Sequence, residues 1–195
     1  MEREVIATGI GGQGIQLASE VLARAATAEG REVLMFGSYG GMMRGGNTDA
    51  YVVVADAPIS APPVPPLAWV AIVMHHQHAA PVLAKLRRDS IVLVNTSVVV
   101  GELELGSATA IGVAATELAV AAGNIITASL VMVGALAAAT GLVALESLGT
   151  AVEVALPPYR QQHVALNQRA LEVGFDAVDR STHPAWANAP AKASR

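Results

Sequence analysis

The sequence predicts an α/β fold, and three observations carry that prediction. Apolar runs of strand length alternate with stretches whose apolar residues recur at helical spacing. A glycine-rich turn joins the first run to the first helical stretch, as in the opening of a parallel unit. The chain has 195 residues, 53% hydrophobic and 14% charged, enough to close one core without staples. The expected architecture is a Rossmann-like three-layer sandwich with a mostly parallel sheet. It occupies residues 1–178, and residues 179–195 follow as a C-terminal tail.

Each element follows from local pattern. Val5–Thr8 is a first strand, and Gly9-Ile10-Gly11-Gly12-Gln13-Gly14 the turn after it. Ile15, Leu17, Ala18, Val21, Leu22, Ala25 and Ala26 mark a helix that stops at Gly30. Val33–Phe36 is a second strand, completing strand, loop, helix, strand. Gly37–Gly46 reads as a loop with unusual backbone angles or a close approach to something. Ala50–Ala55 is strand-like, and Pro58–Pro66, with five prolines in nine residues, is an extended crossing. Trp69–Met74 is a buried strand, Ala79–Arg88 a helix and Ile91–Val94 another strand. Ala108–Ala122 holds a short strand and helix. Thr127–Thr140, Glu146–Val154 and Val164–Gly174 are the last helices, and residues beyond Asp179 read as a loose tail.

Composition excludes several classes. The formal charge is −4 and the pI about 5.7, unlike a protein that grips nucleic acid by neutralising phosphates. Without cysteine the chain has no disulfide framework, thiolate nucleophile or iron–sulfur cluster of its own. Met1-Glu2-Arg3-Glu4-Val5 does not read as a secretory signal, and a cytoplasmic location is expected. Ile125–Leu145 is uncharged over 21 residues, the one stretch long enough for a bilayer. Its alanines and glycines favour a buried helix over membrane insertion. Mean hydropathy is +0.47. With 12 basic and 16 acidic residues, that value implies either a membrane-embedded chain or a surface largely covered by partners.

Gly9, Gly11 and Gly14 fit G-x-G-x-x-G between strand and helix, where backbone N–H groups gather at an anion. A dinucleotide site also needs a carboxylate at the end of the second strand. Leu34-Met35-Phe36-Gly37-Ser38 has none, which disfavours NAD. A ligand-free turn, another phosphate-bearing coenzyme and packing against a neighbouring subunit stay open. His75, His76 and His78 invite a metal reading, but their spacing suits a polar turn better and no metal site is expected. Arg44 is either an exposed loop arginine or a fixed guanidinium facing an anion or a subunit. No catalytic set stands out.

Taken together, these motifs resemble the gamma subunit of the 2-oxoacid:ferredoxin oxidoreductases. The glycine turn at Gly9–Gly14 is similar to the family's G-x-G-G-Q-G. Ser38-Tyr39-Gly40-Gly41-Met42-Met43-Arg44-Gly45-Gly46 resembles S-Y-G-P-E-x-R-G-G, with Gly41-Met42 in place of Pro-Glu. Asp56-Ala57-Pro58-Ile59, Asn95-Thr96-Ser97, Leu130–Gly141 and Leu166–Gly174 resemble further motifs of the family, so that about residues 4–176 are covered. The family's asparagines and serines are replaced by histidines around His75–His78.

The resemblance implies oxidative decarboxylation of a 2-oxoacid to an acyl-coenzyme A, with electrons passing to ferredoxin or NAD. Thiamine diphosphate and iron–sulfur clusters would sit on alpha, beta and ferredoxin-like delta partners. This chain would hold no cofactor alone. It would contribute assembly contacts and share coenzyme A through Gly9, Gly11, Gly12, Gln13, Gly14, Ser38, Tyr39, Arg44, Gly45, Gly46 and Asn95. A free-standing nucleotide-binding oxidoreductase or regulatory α/β module is the alternative.

Overall fold

The computed structural model describes residues 1–39 and 45–186. Six strands form one sheet: β1 (Glu2–Ile10), β2 (Glu32–Tyr39), β3 (Asn47–Ala55), β4 (Ala68–Val73), β5 (Leu86–Asn95) and β6 (Thr109–Val113). Their order is β2-β3-β1-β4-β5-β6. β1, β4, β5 and β6 run parallel, so the sheet is mostly parallel as expected.

One half departs from the expected pattern. β2 does not lie beside β1; β3 is inserted between them, antiparallel to both. A short connection joins β2 to β3, and connections that short return the chain antiparallel. β3 then pairs with β1 from Glu2↔Ala55 to Ile10↔Asn47. Its buried Val52, Val53 and Val54 suit an interior strand covered on both faces.

Five helices cover one face: α1 (Ile15–Ala28), α3 (Ala115–Ala122), α4 (Ala128–Thr140), α5 (Leu145–Ala155) and α6 (Val164–Asp176). The other face carries α2 (Ala79–Leu83) and a loop that contributes Val99, Leu103 and Leu105. The expected helix over 79–88 is therefore shorter, because Leu86–Arg88 enter β5. The Ala68 N–H donates to the Lys85 carbonyl at 2.7 Å, and the buried Ser90 hydroxyl donates to Ala68 O at 2.9 Å. Sheet pairing overrides local helix propensity here.

The uncharged stretch contains an interior helix. Every residue of α4 is buried, and no helix of the described residues is long and apolar enough to cross a membrane. α4 and α6 meet at Gly134 and Gly174. After α6 the chain turns back along α4, where the expectation was a loose tail. Ser181, His183 and Ala185 donate backbone N–H groups to the carbonyls of Ala138, Ala139 and Thr140 at 2.8, 2.9 and 2.7 Å. Carbonyls at a helix C-terminus have no partner inside their own helix, and this segment supplies three. Ala185 is fully buried, and Trp186 packs against the core.

Candidate functional site at the strand switch

β1 and β4 are parallel neighbours, and Met74 N–H donates to Thr8 O at 2.9 Å where both strands end. From β1 the chain passes to α1 on one face; from β4 it passes to α2 on the other. A crevice outside the carboxyl ends of such diverging strands is where open α/β sheets bind ligands. The glycine turn sits on one side of it and the histidine segment on the other.

Gly14 caps α1 in the left-handed region at φ 78°, without a side-chain cap, and no acid stands in the first turn. The N–H groups of Gly12, Gly14, Ile15, Gln16 and Leu17 meet no acceptor among the described residues. A Cβ on Gly12, at φ 104°, would meet nothing among the described residues, whereas one on Gly14 would sit 2.8 Å from Ser129 Oγ. The turn is held from within by Gln13. Its Oε1 accepts from Ile10 N–H at 2.9 Å, and its Nε2 donates to Met74 O at 3.3 Å. Both ends of that amide are therefore engaged by the protein.

The second glycine segment meets the first. Gly11 N–H donates to Gly46 O at 2.9 Å, and Gly45 lies beside it at φ 88°. Ser38 and Tyr39 stand at the end of β2, paired with Asp49 and Thr48 and one strand beyond β3. Arg44, with Gly40–Met43, lies outside the described residues.

Asn95 is not brought to this place. It is fully buried at the end of β5. Its Nδ2 donates to Thr116 Oγ1 at 2.9 Å and its Oδ1 accepts from Thr116 N–H at 3.3 Å, so it fastens the start of α3. Ser97 Oγ accepts from Glu117 N–H at 3.3 Å in the same way.

His76–His78 forms a short 3-10 turn. His75 Nδ1 accepts from Gln77 N–H at 3.3 Å, and its ring stacks on His76 at 4.5 Å. Burial, followed by the neighbouring His76 and His78, holds the His75 pKa below its ordinary value. His78 Nε2 is buried and has no hydrogen-bond partner among the described residues. Nor do three or more His, Cys, Asp or Glu side chains gather there to hold a metal ion.

The sequence reading missed two polar arrangements. Asp49 accepts from Thr8 Oγ1 at 2.7 Å and from Asn47 Nδ2 at 2.9 Å, and its carbonyl accepts from Gln16 Nε2 at 2.8 Å. The Gln16 amide also lies over Gly37, where a Cβ would collide with it. A visible signal was the polar residue at each strand end: Thr8 after Val5-Ile6-Ala7, and Asp49 before Ala50. Gly37 closes the question left by the absent carboxylate. A ribose-binding acid would belong near there, yet the position is filled by Gln16. It also lies two strand spacings from β1, about 10 Å.

The family model for pyruvate ferredoxin/flavodoxin oxidoreductase matches residues 4–177. The chain belongs to this family. Within it the gamma subunits are the counterparts. It is 32% identical to the 2-oxoglutarate synthase subunit KorC of Methanothermobacter marburgensis over 185 residues, covering 91% of this chain and 97% of that one. The solved gamma subunit of a keto/oxoacid ferredoxin oxidoreductase from Geobacter sulfurreducens superposes with a TM-score of 0.78 at 27% identity. That match covers 91% of this chain and 96% of the other. The 2-oxoglutarate:ferredoxin oxidoreductase of Magnetococcus marinus, solved with 2-oxoglutarate, coenzyme A and succinyl-CoA bound, shares the fold at a TM-score of 0.79 and 15% identity. It aligns with 94% of this chain, which spans 33% of the larger one. The chain is thus a gamma-type subunit of an oxidoreductase complex, and the free-standing nucleotide-binding alternative is not favoured.

Proposed function

We propose that this gamma subunit presents its two glycine segments to the phosphates of coenzyme A in a thiamine-dependent 2-oxoacid oxidoreductase. The observation that carries the reading is the bond from Gly11 N–H to Gly46 O at 2.9 Å. It joins two segments more than thirty residues apart at the strand switch, beside an α1 N-terminus with no side-chain cap. The residues fit the group: among the described residues nothing stands over Gly12 and the amides of the turn meet no acceptor, which suits a phosphate, and no acid in the first turn repels it.

When bound, coenzyme A supplies the thiol that accepts the acyl group. The chain's own part is positional. Gly12 and the first turn of α1 donate N–H groups, Gln13 keeps the turn in shape, and Gly45–Gly46 closes the second side. Arg44 adds a positive charge for a phosphate or for the subunit seam. The 2-oxoacid, thiamine diphosphate and iron–sulfur clusters sit on alpha, beta and ferredoxin-like delta chains. Ferredoxin or NAD takes the electrons, and the assembly works in the cytoplasm. Residues beside the turn support burial by a partner. Ile125 and Ile126 are 55% and 61% exposed, and the Ile126 carbonyl lies 3.3 Å from where a Gly14 Cβ would stand. Apolar side chains exposed together mark interaction surfaces.

The test is purification of the tagged chain from its host, with native mass, thiamine and iron measured in one sample, followed by coenzyme A kinetics of variants. Larger partners carrying thiamine and iron are expected. Gly12→Val and Arg44→Ala should each raise the KM for coenzyme A in an assembled complex. A lone chain of 19.9 kDa without either group, or unchanged coenzyme A kinetics in both variants, would overturn the proposal.

A further inference from the structure

We infer that Asp49 is the positioning residue that fixes the junction of the two glycine segments, and so sets the affinity for the coenzyme's phosphates. This rests on the assignment of those segments to coenzyme A. Asp49 bonds to neighbours on both sides of the junction. On one side its Oδ1 accepts from Thr8 Oγ1 at 2.7 Å, three residues before Gly11 on β1. On the other its Oδ2 accepts from Asn47 Nδ2 at 2.9 Å, and Asn47 follows Gly46, whose carbonyl receives the Gly11 N–H. A third contact uses its backbone: Asp49 O accepts from Gln16 Nε2 at 2.8 Å, which ties down the first turn of α1.

The chemistry explains why a carboxylate stands there. Thr8 Oγ1 and Asn47 Nδ2 both donate here, so the residue between them accepts twice. An ionised carboxylate has acceptors on both oxygens, whereas an amide has one. Bonds to an ionised acceptor are also shorter and stronger than neutral ones. Asp49 touches no ligand atom; it acts by holding Gly11 and Gly46 at bonding distance. The Asn47 Oδ1 atom is buried with no partner among the described residues, so Asn47 is held through its Nδ2 bond to Asp49.

The experiment uses the assembled complex with its partner chains. Asp49→Asn loses one of the two acceptors, and Asp49→Ala loses both. The double variant Asn47→Asp/Asp49→Asn reverses donor and acceptor and restores the link between positions 47 and 49. Asp49→Ala should raise the KM for coenzyme A about tenfold, the change that accompanies about 1.4 kcal/mol, with kcat and the KM for the 2-oxoacid within about twofold. Asp49→Asn should fall between, and the double variant should return toward the parent. A purely structural role would lower kcat, complex yield and thermal midpoint together, without rescue by the swap, and that result would overturn the inference. If Gly12→Val raises the coenzyme A KM and Asp49→Ala does not, the inference fails while the function stands. If neither changes it, the function itself fails.

Discussion

Gly134 of α4 and Gly174 of α6 each make room for the backbone of the other's helix. A Cβ on Gly134 would overlap the Leu171 carbonyl oxygen, and one on Gly174 would overlap that of Val131. The two late sequence motifs are therefore the two halves of one helix contact, and their glycines serve packing, not a ligand. Alanine is a better helix former than glycine by about 1 kcal/mol, so propensity alone predicts that either glycine gains from substitution. The contact predicts the opposite. Gly134→Ala and Gly174→Ala should each destabilise by about 1–3 kcal/mol through overpacking. Gly149, in the middle of α5, is the control, because a Cβ there would meet nothing closer than Gln168 Nε2 at 3.9 Å. Gly149→Ala should stabilise by about 0.4–1 kcal/mol. Denaturant unfolding of the three variants checks the difference in sign.

Gln13 spans the turn it belongs to. Gln13→Ala leaves the Ile10 N–H without its acceptor, at a cost of about 1–3 kcal/mol. Gln13→Glu keeps an acceptor for Ile10 but loses the donor to Met74 O, and should cost less. Unfolding midpoints of the two variants rank them; equal losses would mean that the Ile10 bond contributes little.

The histidine segment predicts a pH dependence. Burial first, and then His76 and His78, lower the pKa of His75 in the folded chain from 6.5. The folded state thus binds that proton less readily than the unfolded one. The His75 contribution to stability is full above pH 6.5 and declines as the pH falls through the folded value. Partial exposure of the ring keeps the effect small. Ring-proton NMR should give a midpoint below the ordinary one, and a midpoint at or above 6.5 would contradict the arrangement seen at His75.

Truncation after Val178 tests the returning segment. It removes the three N–H groups that donate to the end of α4, the bond from Trp186 Nε1 to Leu142 O at 3.2 Å and the Trp186 ring over which the Arg31 guanidinium lies 3.9 Å from the centroid. At about 1 kcal/mol for each lost hydrogen bond, the shortened chain should be several kcal/mol less stable. An unchanged midpoint would show that the segment only rests on the surface.

Much of the fold was legible because it rests on local pattern. The apolar positions of α1 return at helical spacing from Ile15 to Ala26, and the expected strands lie within observed ones except that β4 ends at Val73, one residue short of the expected Met74. What escaped depends on which strand sits beside which. Nothing local to Ala50–Ala55 says that it pairs between β1 and β2. Nothing in Ala79–Arg88 shows that Leu86 will align with Ala68 on β4. The candidate site divides the same way. The glycine turn was readable from spacing, but its bond to Gly46 and the Asp49 contacts need residues that meet only when β1 pairs with β3. Asn95 looked equivalent to the other polar motif residues until the fold placed Thr116 against it.

The antiparallel insertion of β3 divides the sheet into two halves, each paired within itself. Residues 2–55 pair β1, β2 and β3 with one another, and β4, β5 and β6 pair through registers such as Val70↔Ile91 and Ile91↔Thr109. The halves meet along one seam, β1 against β4, where Val5 lies opposite Val70. That pairing is farther apart in sequence than any within either half, and contacts of greater sequence separation form more slowly. The seam is therefore expected to close last. In pulse-labelled hydrogen exchange during refolding, the amide of Met74, which donates to Thr8 O across the seam, should become protected after those of Val52 and Val92. Simultaneous protection would mean that the sheet forms in one step. The crevice lies on that seam, so the glycine turn and the histidine segment come together only when the sheet is complete.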